Sequence, residues 1–284
     1  MNILFDLIKI RITVLVAITT GFGYLLSKGK IDLAIIYPVI GIFLTASGSA
    51  AINHIQDSDI DAKMNRTKSR PLPSGLLSKW EIVVIASLLV LFGSAILWWM
   101  VGIIEMLLGI LALVWYNLIY TPMKRKSPYA VIPGSIIGAI PPVVGWISGG
   151  GSLSSPESIF LAFFFFLWQI PHFWLLLLFL NNDYESSGIP TVMSRFSETQ
   201  LARITFAWTF ATALSALLFP LFHLVSGWVA LLMIVISAGV LIIHSIQLLK
   251  FDTGRYAFRK AFMGINYFIL YLVLVVSIDK LKIF

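Results

Sequence analysis

The segment NHIQDSDIDAKMNRTKSRPLPSG, Asn53–Gly75, closes a long apolar run and packs charges of both signs into a few turns. Asn53, Asp57 and Asp61 recur at intervals of four. On a helix each such step turns about 40° and rises about 6 Å, so the three share one stripe and Asp59 points away from it. Five cations follow: Lys63, Arg66, Lys68, Arg70 and Lys79. A polar side chain such as Asn53 at the edge of an apolar run is costly and marks a place with a task.

What surrounds the stripe decides the fold. The chain has 284 residues, 59% hydrophobic and 12% charged. A soluble domain carries roughly 25% charge. Apolar runs long enough to cross a bilayer as helices recur along the whole length. Their edges fall near 8–27, 33–55, 80–100, 103–120, 129–148, 158–181, 201–224, 228–249 and 258–278. The alternating pattern of a membrane barrel is absent, and backbone groups in lipid must be satisfied internally, so the spans are helices. The expected class is all-α: a polytopic membrane protein of nine transmembrane helices around a central cavity. No linker divides it, so residues 1–284 form one domain. Cysteine is absent, which excludes disulfides and thiolate chemistry. The N-terminal run lacks a small-x-small cleavage site and reads as a retained span. The net charge of +7 reads as cationic loops against anionic lipid rather than as nucleic-acid binding.

Sixteen of the chain's 20 Lys and Arg residues fall on one face of this nine-span arrangement. The positive-inside rule places that face, with the N-terminus, in the cytoplasm. The acidic stripe, YTPMKRKSPY at 120–129 and NNDYESSGIP at 181–190 share it. Two readings of the stripe stand. One is a solvated loop with internal ion pairs. The other is a hard-oxygen site: three oxygen ligands suit Mg²⁺ that also holds a diphosphate. Arg66, Arg70, Lys124 and Arg125 would then meet phosphate oxygens, the arginines as forks. Asp183, beside Glu185 at the end of the sixth run, offers a second acidic site on the same face.

The fifth run, PGSIIGAIPPVVGW, provides small residues for close packing and prolines for kinks. The sixth, FLAFFFFLWQIPHFW, offers aromatic faces to an isoprenoid tail or a carbocation, or else packs as core. Gln169 and His172 lie inside it, and intramembrane polar groups are functional candidates. His172 has four readings: a metal ligand, a proton acceptor, a contact to porphyrin iron, or a histidine bonded to a neighbouring helix.

With these residues in hand, the sequence resembles the UbiA superfamily of membrane-embedded prenyltransferases over essentially its whole length. The N-x-x-x-D-x-x-x-D pattern at Asn53, Asp57 and Asp61 is that family's first acidic motif. DIDAKMNRTKSRPLPSG, YTPMKRKS, GAIPPVVGW, WQIPHFW and DYESSGIP are similar to the haem-farnesylating branch. The resemblance implies Mg²⁺ held by Asn53, Asp57, Asp61 and Asp183. It implies farnesyl diphosphate bound by Arg66, Arg70, Lys124 and Arg125, and haem B as the acceptor. The product would be haem O, handed over to a haem A synthase. His172 is the candidate haem contact, and Arg11 a candidate for a propionate or the diphosphate. The sequence departs from the family at Ser58, Ser187 and Ala130, where an arginine, an aspartate and an asparagine are usual. Two rivals differ in kind. One is prenylation of a quinone precursor by the same metal site, which the sixth run disfavours. The other is a transporter, which would place its ionisable residues near the midplane.

Overall fold

Leucine, isoleucine and phenylalanine runs without internal charge leave the backbone no partner but itself, and every such run becomes a helix. The computed structural model describes residues 3–180, 188–250 and 254–283, and among them there is no strand. The described residues form nine long helices, in order: α1 Ile10–Lys28, α2 Ile36–Gln56, α3 Lys79–Ile96, α4 Ile103–Val114, α5 Ile136–Ser148, α6 Pro156–Phe179, α7 Glu198–Ala216, α8 Trp228–Ser245 and α9 Arg255–Lys280. Eight of these segments are long and apolar enough to cross a membrane. The protein is a multi-pass integral membrane protein.

The helices start where their sequences say they should. Ser78 caps α3 and Ser197 caps α7, each in a reciprocal box with Glu81 or Gln200 three residues on. Ser155 caps α6, with Pro156 at the first helical position. α4 continues through a wide π turn, Trp115–Tyr120, into the short helix Thr121–Lys124.

The seventh run departs from its expected bounds of 201–224. Helix α7 ends at Ala216, and the chain turns through Leu217–His223. Pro220 cannot donate to a continuing helix, and His223 takes a left-handed φ of 53°. α7 is also the least apolar of the nine. Its buried Thr205, Thr209 and Thr212 donate back to the carbonyls of Leu201, Thr205 and Trp208 at 2.7–2.8 Å. Each hydroxyl is satisfied within the helix, so the polar face can be buried.

Consecutive long helices run antiparallel. The start of α1, the ends of α2, α4, α6 and α8, and the starts of α3, α5, α7 and α9 therefore lie at one end of the bundle. α1 packs on α5 and α2 on α3, while α6 packs between α5, α7 and α9. The core of the second half is aromatic: Phe160, Phe164 and Phe165 bury themselves against Phe219, Phe222 and Phe22. These three phenylalanines are packing residues.

At the opposite end, the buried Asp279 carboxylate accepts the Ser226 and Gly227 amides, each at 2.8 Å. It ties the α7–α8 turn to the end of α9. Asp279→Ala would strand two amide donors, and is expected to lower stability by about 1–3 kcal/mol. The check is thermal unfolding in detergent, with substrate KM values unchanged because the residue lies at the end away from the charged cluster.

Candidate active site

The cluster begins with the geometry of the α2 terminus. The Asp57 amide donates to the Asn53 carbonyl at 2.9 Å, and Asp61 to Asp57 at 2.7 Å. Helical register thus carries through the short helix Ser58–Asp61. Asn53, Asp57 and Asp61 are buried together at 1%, 4% and 3% exposure. The Asp59 side chain is 60% exposed on the other side. The stripe expected from the four-residue spacing is present.

The loop after it folds back on itself. Thr67 Oγ1 donates to the Asp61 carbonyl at 3.0 Å, and Arg70 returns to the stripe. Its Nη1 donates to both Asp61 carboxylate oxygens, at 2.8 and 2.7 Å. Lys124, from the end of the α4 segment, donates a short bond to Asp57 Oδ2. Arg125 forks onto Asp59 at 3.0 and 2.7 Å, reaches the Gln56 carbonyl, and stands 3.8 Å from Asp57 Oδ1. The Arg125 hydrogen bonds hold the Asp59 carboxyl below the usual carboxylate range.

Three of the four candidate diphosphate cations, Arg70, Lys124 and Arg125, therefore converge on the carboxylates. Arg66 is exposed on the loop surface, outside these pairs. Arg11 is likewise exposed, in the first turn of α1. The cation that α1 delivers is Lys9. Its backbone takes the left-handed region, φ 49° and ψ 53°, between the short helix Ile3–Leu7 and α1. Its Nζ lies 2.5 Å from Asn53 Oδ1 and 3.5 Å from the Tyr116 hydroxyl. Desolvation first, then the neighbouring Arg70 and Lys124 charges, lowers the Lys9 pKa to about 7, against the pull of Asp57 and Asp61. Arg70, Lys124 and Arg125 match Asp57, Asp59 and Asp61 in number, and Lys9, its pKa lowered to about 7, is a fourth cation that an arriving anion would keep protonated. The cluster has room for an anion's charge.

A polar scaffold that sequence reasoning missed fixes Asn53 and the α4 segment. Asn53 Nδ2 donates to Thr121 Oγ1 at 3.1 Å. Asn117, in the π turn, accepts from Ser49 Oγ at 2.6 Å and donates to the Ser49 carbonyl at 3.1 Å and to Gln56 Oε1 at 2.9 Å. The available signal was Asn117 itself, an amide inside an apolar run.

The donor set along the stripe fits Mg²⁺. Asp57 Oδ1 is buried without a hydrogen-bond partner, and Asn53 and Asp61 add hard oxygens along the same stripe. Among the described residues no three acidic or histidine side chains gather around one point. Two carboxylates and an amide suit a Mg²⁺ ion whose remaining ligands are phosphate and water. Asp183, the expected fourth ligand, lies outside the described residues, as do Glu185 and Ser187.

From this cluster an aromatic wall leads into the bundle. Lys124 Nζ sits 5.9 Å from the Tyr120 ring centre. Tyr116 stacks on Tyr120 with centroids 5.7 Å apart, and Tyr120 meets Phe173 of α6 at 6.5 Å. Phe173 meets His172 at 5.6 Å, and His172 meets Trp168 at 4.9 Å and Phe262 of α9 at 5.1 Å. Trp168 Nε1 donates to the Ile265 carbonyl at 3.4 Å, and a Cβ on Gly138 of α5 would run into Gln169. Trp168, Gln169, His172 and Phe173 occupy one helical face and are half-buried although three helices lie around them. His172 Nδ1 is buried without a hydrogen-bond partner.

The sequence matches the UbiA prenyltransferase family over residues 15–270. It is 34% identical over 242 residues to a protoheme IX farnesyltransferase of Nitratidesulfovibrio vulgaris, covering 85% of this chain and 84% of that protein. Among solved structures, a digeranylgeranylglyceryl phosphate synthase superposes with a TM-score of 0.80 at 17% identity, over 99% of this chain and 98% of that one. A UbiA homologue of Archaeoglobus fulgidus bound to GPP and Mg²⁺ superposes with a TM-score of 0.65 at 14% identity, over 97% of this chain and 100% of that one. At these identities the structural likeness speaks to the fold.

Proposed function

The chain belongs to the UbiA prenyltransferase family, and from that premise we propose that it moves a farnesyl group from farnesyl diphosphate to a vinyl group of haem B, making haem O. The observation that carries this reading is the continuous wall from the charged cluster to His172. A diphosphate at the cluster would lay its prenyl chain along Tyr116, Tyr120 and Phe173. The acceptor would then stand at the histidine end.

Mg²⁺, when bound, would neutralise charge growing on the leaving diphosphate. Asn53, Asp57 and Asp61 would hold it, with Asp183 as the fourth ligand. Lys9, Arg70, Lys124 and Arg125 would bind the phosphate oxygens and stabilise the leaving group as the allylic C–O bond breaks. The C–O electron pair leaves with diphosphate, and the farnesyl cation is exposed to the Tyr120 and Phe173 rings, whose faces tolerate positive charge. The vinyl π pair forms the new C–C bond. Water then captures the cation left beside the porphyrin and gives up a proton, leaving the hydroxyethylfarnesyl side chain. The charged end would face the cytoplasm by the positive-inside rule.

The decisive experiment incubates purified protein with haem B, farnesyl diphosphate and Mg²⁺, and identifies the product by mass. Haem O is the expected product. Absence of haem O, with prenylation of a quinone precursor under the same conditions, would move the acceptor assignment to the quinone class. A separate prediction isolates His172. His172→Phe is expected to raise the apparent haem KM about tenfold, or about 1.4 kcal/mol, and to shift the Soret band of bound haem. Farnesyl diphosphate affinity is expected to stay unchanged. Equal haem parameters in the two proteins would remove His172 from the acceptor site.

A further inference from the structure

A cavity of about 300 Å³ opens between α8 and α9, at the same end of the bundle as the charged cluster. Its lip carries Arg259 and Lys260 of α9 and His244 of α8, and its walls include Tyr256, Met263 and Tyr267. Neither Arg259 nor Lys260 pairs with a carboxylate among the described residues. The nearby Arg255 is occupied, donating to the Phe179 carbonyl at 3.1 Å and covering the Phe179 ring at 5.4 Å. Among the described residues the two lip cations thus have no acidic partner.

Below the lip the chemistry changes. Tyr267 follows Lys260 by seven residues, about 10 Å along a helix. Met263 and Gly264 lie between them, and a Cβ on Gly264 would meet nothing within 4 Å. No neighbouring helix needs that glycine for close approach, so its effect is to keep the trough open. Mid-helix glycine sacrifices about 1 kcal/mol of helix propensity relative to alanine, and here no packing offsets it. Tyr256 is 79% exposed and Tyr267 61%, as suits rings at a membrane–water boundary and on a lipid-facing surface. The trough is therefore cationic at the boundary and apolar beneath it, on two helices of candidate spans.

We infer that this trough binds an anionic membrane phospholipid, with the headgroup phosphate between Arg259 and Lys260 and one acyl chain past Gly264 along Met263 and Tyr267. Charge complementarity selects the occupant. A zwitterionic headgroup carries its own cation to the same place, whereas an anionic one brings net negative charge to two cations that no described carboxylate pairs. The inference depends on neither the acceptor nor the metal of the reaction.

The test uses full-length protein in detergent and in nanodiscs. Native mass spectrometry would count bound lipids as phosphatidylglycerol, phosphatidylcholine or inorganic phosphate is added. Phosphatidylglycerol is expected to bind about tenfold more tightly than phosphatidylcholine, and inorganic phosphate not to compete at equal concentration. Arg259→Gln with Lys260→Gln is expected to abolish the preference. Gly264→Leu keeps the charges and fills the trough; it is expected to lose the tightly bound lipid while prenyl transfer in detergent stays within about twofold. Equal binding of the two lipids, preference retained in both variants, or full competition by inorganic phosphate would each overturn the assignment.

Discussion

Asp57→Asn is expected to lower kcat/KM for farnesyl transfer by at least about 10³-fold while the protein stays folded, a loss of roughly 4 kcal/mol of transition-state stabilisation. The change is nearly isosteric, so the buried terminus of α2 keeps its packing. What it removes is charge. Asp57 holds Lys124 through Oδ2, and its Oδ1 is the buried oxygen without a hydrogen bond. An amide there binds Mg²⁺ more weakly and leaves the Lys124 ammonium without its counter-ion. Chelating Mg²⁺ should silence the wild-type protein, and adding it back should restore it. The variant should need far more of the ion. Asp59→Asn is the matched control, two residues away, carrying the same charge change. Its side chain is 60% exposed and pairs with Arg125 at the surface, where such pairs are worth about 0–1 kcal/mol. Activity should fall by no more than about threefold. Equal losses in the two variants would mean that the activity reads total charge near the loop and not the buried stripe.

Much of this site could be read before any coordinates, for a simple reason. Four-residue spacing at the end of a helix fixes a shared face, whatever the helix packs against. The exposure of Asp59 against the burial of Asp57 and Asp61 follows from the same arithmetic. Nearby charge made Arg70, Lys124 and Arg125 natural candidates, and the structure brings all three to the carboxylates. Lys9 and Arg11 show the limit. One residue separates them, and the choice between them depends on one left-handed backbone step at Lys9, which no periodicity signals. Asn117 escaped for a related reason: its partners Ser49 and Gln56 lie 68 and 61 residues away. The end of the seventh span was misplaced because hydropathy alone ran through Pro220. The nine-helix fold itself was legible because lipid permits helices little choice. Which phenylalanines of α6 pack and which border open space was not legible, since Phe164 and Phe173 differ only in what the other helices place opposite them.

Gly145→Leu is expected to prevent accumulation of folded protein altogether. A Cβ at Gly145 would overlap the Thr20 carbonyl oxygen and stand 2.8 Å from the Tyr24 amide nitrogen. The same crossing is tight from the other side, where a Cβ on Gly23 would overlap the Pro142 carbonyl and approach the Trp146 amide nitrogen at 2.9 Å. Helices α1 and α5 thus touch backbone to backbone, in the manner of small-residue crossings in membranes. Overpacking against movable side chains costs about 1–3 kcal/mol. Here the opposing atoms are main chain, held by helix hydrogen bonds, and they cannot rotate away. Relief requires the two helices to separate along their whole contact. Even Gly145→Ala should lower the melting temperature and activity together. Gly239→Ala in α8 provides the contrast: a Cβ there meets nothing within 4 Å, so the change should be neutral or stabilise the helix by up to about 1 kcal/mol. Size-exclusion profiles and thermal unfolding in detergent would compare the four proteins. A monodisperse Gly145→Leu protein melting near the wild type would mean that α1 and α5 do not meet through their backbones.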